Sequence, residues 1–223
     1  MKELIVQQNQ LSYTGTYARP LFQLWGAGGL IFGGLFDAFA PFNVALADIR
    51  AEGTAQSAAD QAVTVAFGLE GIYRFRFDRV ELSFLNLTDE TFNNLPAILS
   101  AGDVWLRKAV PELRFQNHQF QYGGHCRLNG GSAEEVLQKV VKTDFKIQTS
   151  PLRAGIILRW TEADPGWVVQ LTLDYSQIVD DGLFVWFAMT TVSDTINFSE
   201  VAAGGRALLE SGLRQLDLTF SSK

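Results

Sequence analysis

Apolar and polar residues recur with two different periods along the chain, and the switches between them mark its elements. Leu30 to Phe39 is apolar on nearly all sides and ends at Pro41, which predicts a short buried helix. Val44 to Glu52 and Ala62 to Phe67 read as strands, with the small residues from Ala55 to Asp60 turning the chain between them. Tyr73, Phe75 and Phe77 alternate with Arg74, Arg76 and Asp78, the two-residue period of a half-buried strand. The phase flips at Asp78-Arg79, after which Val80, Leu82 and Phe84 carry the apolar set. A two-residue hairpin turn at that point predicts Phe77 opposite Val80, with both sets on one face.

A long helix is predicted from Thr88 to Val110, because Phe92, Leu95, Leu99, Trp105 or Leu106, and Ala109 trace one face. Pro96 predicts that its regular part starts late, since proline is tolerated in a first turn. Leu113 to Leu128 reads as a long strand broken at Gly123-Gly124. Ser132-x-x-Glu135 has the form of a capping box and opens a helix through Val141. Strands follow at Gly155–Trp160, Trp167–Tyr175 and Leu183–Val192, separated by Asp164-Pro165-Gly166 and Asp180-Asp181-Gly182, with glycine supplying any positive φ. The last helix opens at Asn197-x-x-Glu200 and aligns Val201, Leu208, Leu209, Gly212, Leu213 and Leu216.

These elements predict an α+β fold, a curved antiparallel sheet backed by long helices, as one domain over residues 1–223. Residues 20–128 and 129–220 each read helix, strands, long helix, an order that fits a duplicated unit. A single sheet wrapped around the last helix fits it as well. The composition supports a sizeable core: 223 residues, 47% hydrophobic. Charged residues are 19%, against about 25% in an average soluble domain, so the surface is short of charge.

The net charge of −6, from 18 Lys+Arg against 24 Asp+Glu, opposes phosphate binding and argues against nucleic acid as the main partner. The densest basic spot, Arg74, Arg76 and Arg79, is interrupted by Asp78 and Glu81. Cys126 is the single cysteine and cannot close an internal disulfide, and Met1 to Gln10 contains no apolar stretch of a secretory signal. Both observations predict a cytoplasmic protein. The uncharged run Pro20 to Phe36 tests that expectation, but its seventeen residues hold five glycines and stop at Asp37. A spanning helix needs about 20 predominantly apolar residues, so the run is expected to be buried in protein, with membrane interaction as the alternative.

The stretch Phe75 to Leu128, with its strand Val80-Glu81-Leu82-Ser83-Phe84, then a helix, then Leu113 to Leu128, resembles the middle of a sporadically distributed bacterial protein family of unknown function. The tail from Val169 to Phe187, followed by the helix ending Leu213 to Phe220, is similar to how members of that family end. The likeness spans the last two thirds of the chain and rests on element order and apolar positions. An arginine-tyrosine-asparagine triplet associated with that family is missing. The resemblance implies a bacterial cytosolic protein and carries no activity.

Candidate chemistry fails its spacing tests. Gly26-Ala27-Gly28-Gly29 lacks the third glycine of a dinucleotide fingerprint, where Ile31 stands, and Gly28 to Gly33 is followed by Gly34-Leu35 where a P-loop needs Lys-Ser/Thr. His118, His125 and Cys126 form the only metal candidate, yet His118 and Cys126 lie roughly 27 Å apart on an extended strand. His125 and Cys126 point to opposite faces, which also separates a thiolate pair. Ser211-Gly212 lies in a helix without a nucleophile elbow. Asp164, Asp180 and Asp181 sit in turns, and Asp174 is expected on an exposed strand face. The sequence thus predicts no catalytic residue, no cofactor and no metal, and all three residues of the metal candidate are expected to be dispensable for folding.

What remains is an aromatic surplus of 17 Phe, 5 Trp and 5 Tyr, read first as core. A charge-poor aromatic surface also suits a protein interface or an apolar pocket. The expected function is therefore non-enzymatic protein–protein contact or self-association. The alternatives are a module enclosing a small apolar ligand between sheet and helices, and a membrane-interacting protein using residues 20–36.

Overall fold

The first seventeen residues form the strand at the middle of the molecule. In the computed structural model, which describes residues 1–53, 61–140, 155–163, 166–192 and 197–221, β1 (Lys2–Tyr17) pairs along nearly its whole length with β6 (Phe115–Asn129). Leu4 is buried at an even position, whereas Leu11, Tyr13 and Tyr17 are buried at odd ones. A bulge between Val6 and Gln8 inserts the extra residue, so both sets face the core. The sequence reading missed β1 because the polar run from Gln7 to Gln10 separates two half-patterns of opposite phase.

Beyond β1 on one side stand β5 (Arg79–Leu85), β4 (Gly71–Phe75), β3 (Ala62–Phe67) and β2 (Ile49–Glu52). Beyond β6 on the other stand β9 (Leu183–Thr191), β8 (Trp167–Tyr175) and β7 (Ile156–Glu162). Every neighbouring pair on this path is antiparallel. The short β10 (Leu218–Phe220) completes the ten strands by lying parallel to Lys2–Leu4, beyond the reach of β5. Among the described residues five α-helices accompany the sheet: α1 (Phe22–Trp25), α2 (Gly28–Phe39), α3 (Asp89–Ala109), α4 (Ala133–Val140) and α5 (Phe198–Gln215). The fold is thus α+β with a curved antiparallel sheet backed by helices, as expected. Its element order of long strand, helix, meander and long helix recurs from Lys2 and again from Phe115, not from 20 and 129.

α3 and α5 cover one face of the sheet. Leu95, Leu99 and Leu106 of α3, and Val201, Leu209 and Leu213 of α5, are buried with Tyr13, Tyr73, Leu82, Phe120, Leu171 and Phe187 of the strands. Contact is close: a Cβ on Gly205 of α5 would stand 2.6 Å from the Phe120 ring. Gly205→Ala gains about 1 kcal/mol of helix propensity but forces the buried ring aside, an overpacking that costs about 1–3 kcal/mol. Urea denaturation should show a net loss of stability. An increase would mean that α5 can retreat from the sheet freely. The helix itself starts as the sequence predicts, with Asn197 Oδ1 accepting from Glu200 N–H at 2.9 Å and the Glu200 carboxylate accepting from Asn197 N–H at 3.1 Å.

Several expectations are corrected. The β4–β5 turn is centred on Phe77-Asp78, so Phe75 and not Phe77 lies opposite Val80, and Phe77 stacks on Phe22 at 5.1 Å. α3 starts at Asp89 and continues through Pro96, with Thr88 Oγ1 capping it from upstream (3.1 Å to Thr91 N–H) and Asp89 and Glu90 suiting its positive end. β6 runs unbroken through Gly123-Gly124. β2 begins only at Ile49, after a 3-10 turn at Leu46–Asp48. In Asp180-Asp181-Gly182 it is Asp181 that takes the positive φ of 52°, whereas Gly182 is needed for space, its Cβ position lying 2.7 Å from the Cys126 carbonyl. Gly166 does have a positive φ, 81°. Ser132 caps α4, accepting from Glu135 N–H at 3.2 Å, while the Glu135 carboxylate pairs with Lys2. The turn at Ala55–Asp60, the residues Asp164 and Pro165, and the helix end at Val141 lie outside the described residues.

The run Pro20 to Phe36 is only partly buried. Leu21, Leu24, Ile31 and Leu35 face the core, but Phe22 and Leu30 are exposed. Among the described residues no helix is long and apolar enough to cross a membrane. The five tryptophans, read as core, are all half-buried: Trp25, Trp105, Trp160 and Trp167 pack against the core, and Trp186 lies on the opposite face of the sheet.

Candidate functional site

The sequence candidates scatter. Gly28, Gly29 and Gly33 fall inside α2, preceded by a helix and not a strand. Ser211 and Gly212 lie in α5. Asp174 is exposed, as expected, and its carboxylate accepts from Tyr175 N–H at 2.7 Å. Asp181 accepts from Ala133 N–H at 3.3 Å, at the start of α4. Among the described residues no group of three or more His, Cys, Asp or Glu is placed to hold a metal ion.

His118 is not a surface residue. It is fully buried on the helix side of β6, with Nδ1 2.8 Å from the Tyr13 hydroxyl and its ring 4.8 Å from that of Phe115. The contact exists because Gly15, opposite His118 in the register, leaves room for the Tyr13 ring; a Cβ there would stand 2.7 Å from the Tyr13 hydroxyl. Burial holds the phenols of Tyr13, Tyr17 and Tyr73 well above their ordinary range. Nearby Asp103 is also raised by burial, although Arg107 Nε lies 3.0 Å from each carboxylate oxygen. This is a polar layer within the core, closed to substrate at Tyr13 and His118.

Cys126 is equally buried, and burial pushes its thiol up to about 12, so it stays protonated at neutral pH. His125 turns to the opposite face, as the alternation predicts. Ser176 fixes its tautomer. The serine oxygen already accepts from Ile178 N–H (3.1 Å) and Val179 N–H (2.8 Å), so its own proton goes to His125 Nδ1 at 2.9 Å. The imidazole is therefore the neutral Nε2–H form, consistent with a pKa lowered by burial.

His125 belongs to the sheet face turned away from α3 and α5. Cross-strand rows on its β6–β9–β8–β7 half read Gly123, Trp186, Thr172, Ile157; then Gln121, Ala188, Gln170, Arg159; then Gln119, Thr190, Val168, Thr161. Among the described residues of these strands, charge enters this face at Arg159, on the edge strand, at Asp174, near a strand end, and at Arg127, toward the end of β6. The β1-to-β2 half of the same face is different, being laced by the ion pairs Arg74–Glu52, Arg76–Glu81 and Arg79–Glu81. Sequence reasoning identified neither Tyr13 nor this neutral face, although Leu11-x-Tyr13-x-Gly15-x-Tyr17 alternates plainly.

No family model matches the chain, and no curated protein matches it, so the resemblance of Phe75 to Leu128 gains no support there. Among solved structures, a rolling circle replication initiator protein from Geobacillus stearothermophilus is similar over 97% of this chain and 85% of its own, at 8% identity and a TM-score of 0.37. A likeness that low carries no argument about fold or function.

Proposed function

We propose that this chain is a non-enzymatic protein that works by contact, offering the face of β6, β9, β8 and β7 turned away from α3 and α5 to another protein, a second copy included. The observation that carries this reading is the contrast within one sheet face: ion pairs on one half, and on the other Trp186, Phe184, Ala188, Ile157 and Val168 among Gln and Thr. Interface centres are depleted in charge and enriched in aromatic residues, with charge at the rim, where Arg127, Arg159 and Asp174 stand. A bacterial cytosol is the setting that the sequence resemblance and the single cysteine favour. The alternative of an apolar ligand enclosed between sheet and helices is weakened because Tyr13, Phe75, Phe120, Phe187 and Phe198, all fully buried, fill that space.

Ala188→Glu places a charge at the centre of the face without entering the core. Native mass spectrometry of the wild type should give an assembly above 24.7 kDa, and Ala188→Glu should return it to a single chain with the same melting temperature. The reading is lost if the wild type stays monomeric and hydrogen exchange on this face is identical in buffer and in cell extract.

A further inference from the structure

The neutral face contains a hollow whose position follows from strand register. Gly123 stands between Gln10 of β1 and Trp186 of β9, and the adjacent row is Gln8, His125, Phe184. A pocket of about 140 Å³, about ten times the room that one water needs, is lined by Gly123, Gln8, Gln10, His125 and Phe184. Gln10 Nε2 and Phe184 Cε2 lie 3.5 and 3.7 Å from where a Cβ on Gly123 would stand, so an amide and an aromatic ring flank the glycine floor. Asn86 closes one end, held at φ 53° while its N–H donates to the Asn9 carbonyl at 2.8 Å. The β1 bulge brings Gln8 opposite His125.

We propose that this pocket binds a neutral sugar ring. Its lining offers carboxamides, a neutral imidazole and an aromatic face, with no ionised side chain. Nothing there would compensate a phosphate or carboxylate, and the chain is itself net negative. The carboxamides of Gln8, Gln10 and Asn86 each have a donor beside an acceptor, whereas that of Asn9 is engaged with the Leu87 carbonyl at 3.1 Å. A hydroxyl group is both donor and acceptor, so a polyhydroxylated ring can satisfy the three amides in either orientation. The Phe184 ring provides an apolar plane for the C–H face of such a ring. The volume limits the occupant to about one ring, below the usual range for larger ligands. A nucleobase would use the same plane but places fewer hydroxyls against the amides.

The test titrates glucose, galactose, mannose and N-acetylglucosamine, with adenosine as comparison, into 15N-labelled protein. At least one sugar should shift the amide signals of Gly123, His125 and Phe184 saturably. Gly123→Leu places a branched side chain in the pocket from a Cβ that itself meets Gln10 and Phe184 at ordinary contact distance, and it should weaken binding by about tenfold or more. Gln10→Ala, at an exposed position, should weaken binding without lowering the melting temperature. The proposal is overturned by no saturable shift from any of the four sugars, by tighter binding of adenosine than of every sugar, or by undiminished binding in Gly123→Leu. Should Gly123→Leu fail to fold, undiminished binding in Gln10→Ala overturns it.

Discussion

His118→Ala should destabilise the protein by about 3–5 kcal/mol, although the sequence pointed to a dispensable residue. Two losses add. The fully buried ring sits among Phe115, Phe198 and Tyr13, and its removal opens a cavity that these aromatic neighbours, fixed by α5 and β1, cannot collapse into completely. The Tyr13 hydroxyl, also fully buried, loses the acceptor or donor 2.8 Å away. Leaving such a group without this partner costs about 1–3 kcal/mol. Tyr13→Phe removes only the hydroxyl and should cost about 1–3 kcal/mol, and the two substitutions together should cost less than their sum, because each removes the same hydrogen bond. Urea denaturation of the three variants measures this. A loss below about 1 kcal/mol in His118→Ala would show that the ring is not held as described.

For His118 the sequence leaves a surface or a packing role open, and its parity decides between them. From His118 onward, Phe120, Tyr122, Cys126 and Leu128 share its parity, and all of them are buried with it. The expected strand break at Gly123-Gly124 falls in the middle of that series, so it does not read as one continuous buried face. The same inference hid the hollow on the opposite face, where Gly123 marks a missing side chain and not a break. Elements bounded by turn residues were legible: β3 and β8 lie where predicted, and the Asn197 box starts α5. β1 was not legible because its bulge reverses the phase midway, and a bulge is set by the partner strand, more than a hundred residues away. The neutral face was beyond reach for the same reason. Its rows join residues of β6, β9, β8 and β7, and no local pattern states which strands become neighbours.

Ile31→Asp should leave the protein unfolded or aggregated, while Leu30→Asp, one residue earlier, should change stability by no more than about 0.5 kcal/mol. Both lie in α2, but Ile31 is 1% exposed and Leu30 is 68% exposed. Ile31, Leu35 and Phe39 recur at four-residue spacing and form the buried stripe of this helix. An aspartate at 31 forfeits about 1.5–3 kcal/mol of apolar burial and places a carboxyl group in that stripe without a built partner. Whether it ionises or takes up a proton, the added cost is several kcal/mol, comparable with the whole stability of a typical domain. At position 30 the same side chain meets water. The pair also separates the two readings of the run from Pro20 to Phe36. If its apolar residues serve the core, the native protein stays at the bottom of a liposome flotation gradient and only Ile31→Asp loses its cooperative melting transition. If they serve a lipid surface, the native protein floats, Leu30→Asp abolishes flotation, and Ile31→Asp remains folded. The burial of Ile31, Leu35 and Phe39 against the rest of the fold favours the first outcome, since a helix lying on lipid has no protein to cover that stripe.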